Sequence, residues 1–201
     1  MNTINKSFTL LVSLIALMAG MSITTVVHAD KGYVHFDSSG KLLRPVGYRE
    51  WIYIGAPLTP NDMNNGKAAF PEFHNVYIDP TSWTHWKKTG EFRDGTIIVK
   101  ELVSVSGKSA ASGNGYFMGD YIGLEAVVKD KGRFPAKSKH WGFFRFTTED
   151  HKILLSTSRV VPYESCAACH AASAKQDMIF TQHYPVLREA KGKGEMGIGG
   201  K

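Results

Sequence analysis

Polar and apolar residues alternate from Glu72 to Ile78 with the period of two that marks a strand, and Asp79-Pro80 ends the run. Asp79 is placed to cap a short helix starting at Pro80. Trp83 and Trp86 fall on it at helical spacing, and Gly90 would stop it. Three further strands are predicted at Thr96 to Ser106, Tyr121 to Lys129 and His140 to Thr147. The small, polar stretch Gly107 to Gly115 between the first two has the composition of a hairpin loop. Ile153 to Ser156 is a short run able to extend the sheet.

Residues 30 to 70 are rich in Gly, Pro, Asn and Asp, with apolar pieces such as Trp51-Ile52-Tyr53-Ile54 between turn signals like Pro60-Asn61-Asp62 and Asn64-Asn65-Gly66; loops around one or two short elements are expected there. Helix returns near the C-terminus, first behind Ser165 as N-cap and again from Asp177 to Tyr184. The segment Lys191 to Lys201 holds five glycines and reads as a flexible tail. Strands that follow one another without helices long enough for parallel crossovers argue for an antiparallel sheet. The predicted class is mainly β (α+β), an antiparallel sheet with a few short helices and a helix near the C-terminus, and no internal repeat is present.

The first residues change the picture of where the chain works. Met1 to Ser7 is short and polar with one charge at Lys6, Phe8 to Met18 is apolar, and Val27-His28-Ala29 offers small residues before Asp30. This is the pattern of a cleaved secretory signal peptide over residues 1–29. The apolar run is short for a membrane span, although an uncleaved leader would anchor the chain. Removing 29 of the 201 residues leaves 172, one domain over residues 30–201 with enough chain to bury a core. Only Lys6 of the 24 basic residues is lost, so 23 remain against 18 acidic ones, a formal charge of +5. No run of lysine and arginine marks a nucleic-acid partner.

The chemistry concentrates in Cys166-Ala167-Ala168-Cys169-His170, whose two cysteines are the only ones in the chain. Cys-x-x-Cys-His is the signature of covalent c-type haem attachment, two thiols for the vinyl groups and a histidine for the iron. A thioredoxin-like pair would sit early in the fold, after a strand that opens a helix. Zinc would need more thiolate or imidazole ligands close by. Haem attachment in bacteria takes place outside the cytoplasmic membrane, which agrees with the leader and places the mature protein in the periplasm. Met118, Met178 and Met196 are in principle able to take the second axial position, but none has a context that favours it.

Two charged residues stand out in the strands. Lys100 is flanked at two residues on either side by Ile98 and Leu102, and Glu125 shares a strand face with Tyr121 and Val127. Burial would lower the pKa of Lys100 and free a nucleophilic amine, and would raise that of Glu125. The competing reading is a plain ion pair between Lys100 and Glu125 or Glu101 across the sheet. Spacing alone favours the ion pair.

Beyond these features, Phe70-Pro71-Glu72-Phe73-His74-Asn75-Val76-Tyr77, Lys88-Thr89-Gly90-Glu91-Phe92, Asp94-Gly95-Thr96 running into Val99-Lys100-Glu101, and Trp141-Gly142-Phe143-Phe144 precede the Cys-x-x-Cys-His string in an order that resembles the cytochrome P-460 family. The resemblance covers nearly the whole mature chain. It implies a predominantly antiparallel β fold, usually a homodimer, with one haem c bound through Cys166 and Cys169, His170 on the iron and an open distal side. It also implies a bond from Lys100 to the porphyrin edge and a distal carboxylate for proton transfer, here Glu125, with Asp120 nearby as the other choice; His74, on a strand face with Glu72 and Val76, is a weaker candidate base. The implied activity is oxidation of hydroxylamine to nitrous oxide or nitric oxide, with electrons passed to a redox partner such as a small cytochrome. The related cytochromes c′-beta lack the lysine link and cap the distal face with phenylalanine, for which Phe70, Phe73 and Phe117 are candidates. On that alternative the protein binds nitric oxide or carries electrons without turnover.

Overall fold

A computed structural model describes residues 32–192. The expected leader, residues 1–29, and positions 193–201 of the expected tail lie outside the described residues. The strands are β1 (Leu42–Leu43), β2 (Ile52–Gly55), β3 (Phe73–Ile78), β4 (Ile97–Ala110), β5 (Gly113–Lys129), β6 (Trp141–Arg145) and β7 (Thr157–Ser158). The helices are α1 (Pro80–Thr89), α2 (Ala167–Ser173) and α3 (Pro185–Ala190). Strands β2-β3-β4-β5-β6 form one sheet in that order, every pair antiparallel, and β1 pairs with β7 separately. The fold is therefore mainly β, as the alternation predicts.

The sheet is covered on both faces, which accounts for the nearly continuous apolar run in β4. Val76, Ile78, Ile98 and Phe143 on one face pack with Trp86 of α1, Leu187 of α3 and Met178 and Ile179 of the C-terminal segment. Ile97, Val99, Leu124, Ala126 and Phe144 on the other meet Leu42, Phe134 and Phe146. Gly142 is demanded by this second core: a Cβ there would lie 2.4 Å from the Phe134 ring.

Helix α1 obeys its sequence signals. Asp79 accepts a hydrogen bond from Ser82 N at 2.8 Å and another from Ile97 N at 3.0 Å, so one buried carboxylate caps the helix and closes the start of β4. Gly90 takes the left-handed conformation, φ 71°, and its N–H returns to Trp86 O. Trp86 is fully buried and donates from Nε1 to Leu187 O at 2.8 Å, tying α1 to α3.

Several expectations are corrected. Gly107 to Gly115 is not a loop: β4 runs through Ala110 and β5 starts at Gly113, with register shifts that accommodate the small residues of this arm. The arm outreaches its neighbours, since β3 pairs with β4 only as far as Phe73 opposite Val103. Ile153 to Ser156 does not extend the main sheet; Leu154 bridges to Thr147, and the following Thr157–Ser158 pairs with β1. Asp177 to Tyr184 is not a helix either. It begins with a tight turn between Gln176 and Ile179, and Thr181–His183 forms a single 3-10 turn before α3.

Candidate functional site

Helix α2 starts directly after Cys166, which itself takes the cap position without any side-chain capping bond; Ser165, expected there, closes the preceding 3-10 turn instead. Both thiols are free, Cys166 half-buried and Cys169 exposed. Their three-residue separation puts them on one side of the helix. Burial, and then the negative charge of Glu125, push the Cys166 thiol up.

His170 is fixed from both sides. Phe143 and Phe180 hold its ring edge-on, with centroids 4.7 and 4.6 Å away. Its Nδ1 lies 2.6 Å from Met178 O, and a carbonyl only accepts, so Nδ1 carries the proton and Nε2 keeps its lone pair. Burial and the charge of Lys100 lower the pKa of this imidazole, opposed by the Met178 bond and Glu125; the net direction is down. A neutral ring with Nε2 unengaged is the state a metal ligand requires.

Lys100 and Glu125 face each other in the register of β4 and β5, with Nζ 2.7 Å from Oε2. Val76 opposes Lys100 on the other side and Arg145 opposes Glu125, giving one row across four strands. Arg145 Nε lies 3.5 Å from Glu125 Oε1. The row lies on the sheet face that carries Ile98 and Phe143, the face against which His170 packs. Lys100 and Glu125 are close enough for their charges to act on both His170 and Cys166.

The expected rise in the Glu125 pKa is corrected. Burial pushes it up, but the adjacent Lys100 ammonium, followed by Arg145, outweighs burial and holds the carboxyl below the usual range. The pairing itself is the ion pair that spacing favoured, and its partner is Glu125, not Glu101. Glu101 points to the opposite face, where it accepts from Tyr48 at 2.6 Å and from Arg49 at 2.5 and 2.8 Å.

Around Lys100 the sheet gathers three residues from the segment ahead of β3 and from β3 itself. The Phe70 ring centre lies 5.0 Å from Lys100 Nζ, and His74 meets Phe70 edge-on at 5.9 Å. His74 Nε2 is buried without a hydrogen-bond partner, 3.6 Å from Glu72 Oε1. Glu72 is held below the usual carboxylate range despite burial, through His74 and, further off, Lys100. A cavity of about 440 Å³ opens between Phe70, Glu72, Leu102, Glu125, Arg145 and His151.

The other candidates fall elsewhere. Asp120 is exposed on the hairpin arm, its N–H bonded to Ser104 Oγ at 2.9 Å. Phe73 alternates to the face away from Lys100, and Phe117 belongs to the arm, opposite Gly107. Met118 is exposed, Met178 contributes its carbonyl and not its sulfur, and Met196 lies outside the described residues. Sequence reasoning missed Arg145, two residues from Phe143 on the same strand face, and missed the Met178 carbonyl. The first was readable from strand alternation; the second is a backbone group with no side-chain signature.

The donor set fits a haem. Two free thiols on one helical turn and an imidazole with only Nε2 unengaged supply attachment and axial ligation, and they lie on the sheet face that carries Lys100 and Glu125. These features define a haem-binding cytochrome built on an antiparallel sheet. The family model for cytochrome P460 matches residues 45–181, and the chain belongs to that family. No curated protein sequence matches the chain.

Proposed function

We propose that the mature chain is a periplasmic single-haem cytochrome that oxidises hydroxylamine, holding haem c through Cys166 and Cys169 with His170 Nε2 on the iron and Lys100 joined to the porphyrin. The observation that carries this reading is the placement of Lys100 and Glu125 as direct cross-strand partners on the face that His170 packs against. The haem supplies electron transfer and an open coordination position for a small nitrogenous molecule. The remaining chemistry falls to the chain. Lys100 can act as a nucleophile only after losing a proton, and Glu125, at 2.7 Å, is positioned to take it. Joined to an sp2 carbon of the porphyrin, with that carbon's hydrogen lost as a proton and two electrons passed to an external oxidant, Nζ would be an aryl-type amine with no charge to present to Glu125, and the burial that Lys100 had outweighed would regain influence over that carboxyl. Glu125 then has the properties of a proton acceptor for a substrate that sheds protons as it sheds electrons.

Phe70 and Leu102 wall the cavity on its apolar side and limit water, and Arg145 holds the far oxygen of Glu125. Electrons leave to an external acceptor such as a small cytochrome, the chain acting as a homodimer after loss of residues 1–29. A second reading has a specific observation behind it: with Phe70 over a charged, paired Lys100, the site has the components of a phenylalanine-capped nitric oxide binder without turnover. The ferrous absorption spectrum separates the two. A strong red shift relative to ordinary haem c supports the Lys100 bond and the oxidase; an unshifted spectrum with no hydroxylamine-dependent reduction of an acceptor supports the gas binder.

A further inference from the structure

We propose that the ion pair between Lys129 and Asp177 is a positioning device for the axial histidine, holding the turn at Asp177-Met178 in the strained form that aims the Met178 carbonyl at His170 Nδ1. The inference rests on His170 ligating the haem iron. It adds residues outside the Cys-x-x-Cys-His string.

The turn is unusual for its sequence. Asp177 and Met178 both have positive φ, 47° and 65°, and Ile179 N–H closes the turn onto Gln176 O at 2.8 Å. Two consecutive positive φ values are the mark of a type I′ turn, whose usual residues are Asn, Asp and Gly. Asp177 suits the position. Met178 does not, because a Cβ in the left-handed region crowds the following carbonyl oxygen. Glycine would remove that cost but would also remove the buried methionine side chain, which is only 3 % exposed.

Such strain persists where the surroundings over-determine it, and here they act at each residue of the turn. Gln176 donates to Gly90 O at 2.7 Å and accepts from Lys191 Nζ at 2.8 Å. Met178 is anchored in the core. Between them Asp177 Oδ2 meets Lys129 Nζ at 2.5 Å. Lys129 ends β5, is itself 7 % exposed, and lies over the Trp141 ring at 5.2 Å. The pair therefore fastens the turn to the strand that also carries Glu125. A shift of the turn would lengthen the 2.6 Å contact between Met178 O and His170 Nδ1. That bond raises the electron donation of Nε2, which favours ferric over ferrous iron, so loosening it should raise the reduction potential.

The test uses haem-loaded protein carrying Lys129→Met or Asp177→Asn. Asparagine keeps the left-handed preference of position 177 and removes only the charge. In both variants the midpoint potential should shift upward and the ferrous iron–histidine stretching band should move to lower frequency, with the covalent haem content unchanged. Lys129→Arg should restore both readings. If Lys129→Met does not accumulate, Asp177→Asn with the same two readings decides. Variants with wild-type potential and stretching band but a lower melting temperature overturn the inference, leaving a purely structural ion pair. Wild-type protein without His170 on iron overturns the haem reading and this inference with it.

Discussion

Lys100 Nζ lies 2.7 Å from Glu125 Oε2, directly across the central hairpin, so the lysine charge bears directly on the protonation of the glutamate. Burial alone would make Glu125 a weak acid; Lys100 makes it a stronger one than a free glutamate. Any event that removes the lysine charge shifts the balance toward burial, with Arg145 left to oppose it.

The first prediction is the pH dependence of this pair with Lys100 as a free amine. Because the folded pKa of Glu125 is depressed below 4.5, its contribution is fully present above the unfolded value and disappears as pH falls through the folded one. In protein made without haem, Glu125→Gln should lower stability at pH 7 by about 2 kcal/mol, the scale of a charged hydrogen bond. Urea unfolding at successively lower pH should show the gap between the two proteins narrowing below the unfolded value of 4.5. A gap that is unchanged in acid would mean that the charge of Glu125 contributes nothing.

A second prediction concerns Asp79, whose carboxylate serves Ser82 N and Ile97 N at once from full burial. Asp79→Ala leaves two buried donors unpaired and should cost about 3 kcal/mol in denaturant unfolding of the haem-loaded protein. Asp79→Asn keeps one side-chain oxygen and should recover roughly half of that loss. The haem spectrum should be unaffected in both.

The attachment chemistry gives the third. Intact mass of protein from a host competent in c-type maturation should equal the mature chain plus one haem, and Cys166→Ala with Cys169→Ala should release it. A tryptic digest of the wild type should retain the Lys100 peptide and the cysteine peptide on a single haem. Lys100→Arg should leave the thioethers intact while returning the ferrous spectrum to that of ordinary haem c.

The alternation of β3, the Asp79 cap and the Gly90 stop were legible because each rests on local rules acting within a few residues. The Cys-x-x-Cys-His string is local in the same way, and it lies at the start of α2. What the sequence hid depends on distant partners. Gly107 to Gly115 has loop composition, yet cross-strand pairing between β4 and β5 carries it as strand. Asp177 to Tyr184 has helix-compatible residues, but the positive φ at Asp177 and Met178 and the ion pair to Lys129 turn the chain back. Lys100 and Glu125 were visible as misplaced charges; that they are opposite each other, and that Arg145 completes the row, needed the register of three strand pairs. The direction of the Glu125 pKa followed from that register and reversed the expectation from burial alone.

The last prediction separates a proton-transfer role for Glu125 from a structural one. Its side chain is 16 % exposed, lines the cavity beside Phe70 and Leu102, and faces the residue proposed to be bonded to the haem. If Lys100 is bonded to the porphyrin and uncharged, burial favours the protonated form of Glu125 with only Arg145 to oppose it. Glu125→Ala should therefore leave haem content and the red-shifted spectrum unchanged, and should still allow hydroxylamine to bind the ferric protein. Oxidation should slow by roughly a hundredfold or more, the scale of a lost general base. Stopped-flow mixing of ferric protein with hydroxylamine and an oxidant should show the bound state persisting in the variant. Glu125→Asp should recover part of the rate if its shorter chain still reaches. Wild-type turnover in Glu125→Ala, coupled to a lower melting temperature, would reduce Glu125 to an ion-pair partner. His74, whose buried Nε2 lies 3.6 Å from Glu72 Oε1 and near Phe70, would then be the next base to replace, ahead of Asp120 on the exposed arm.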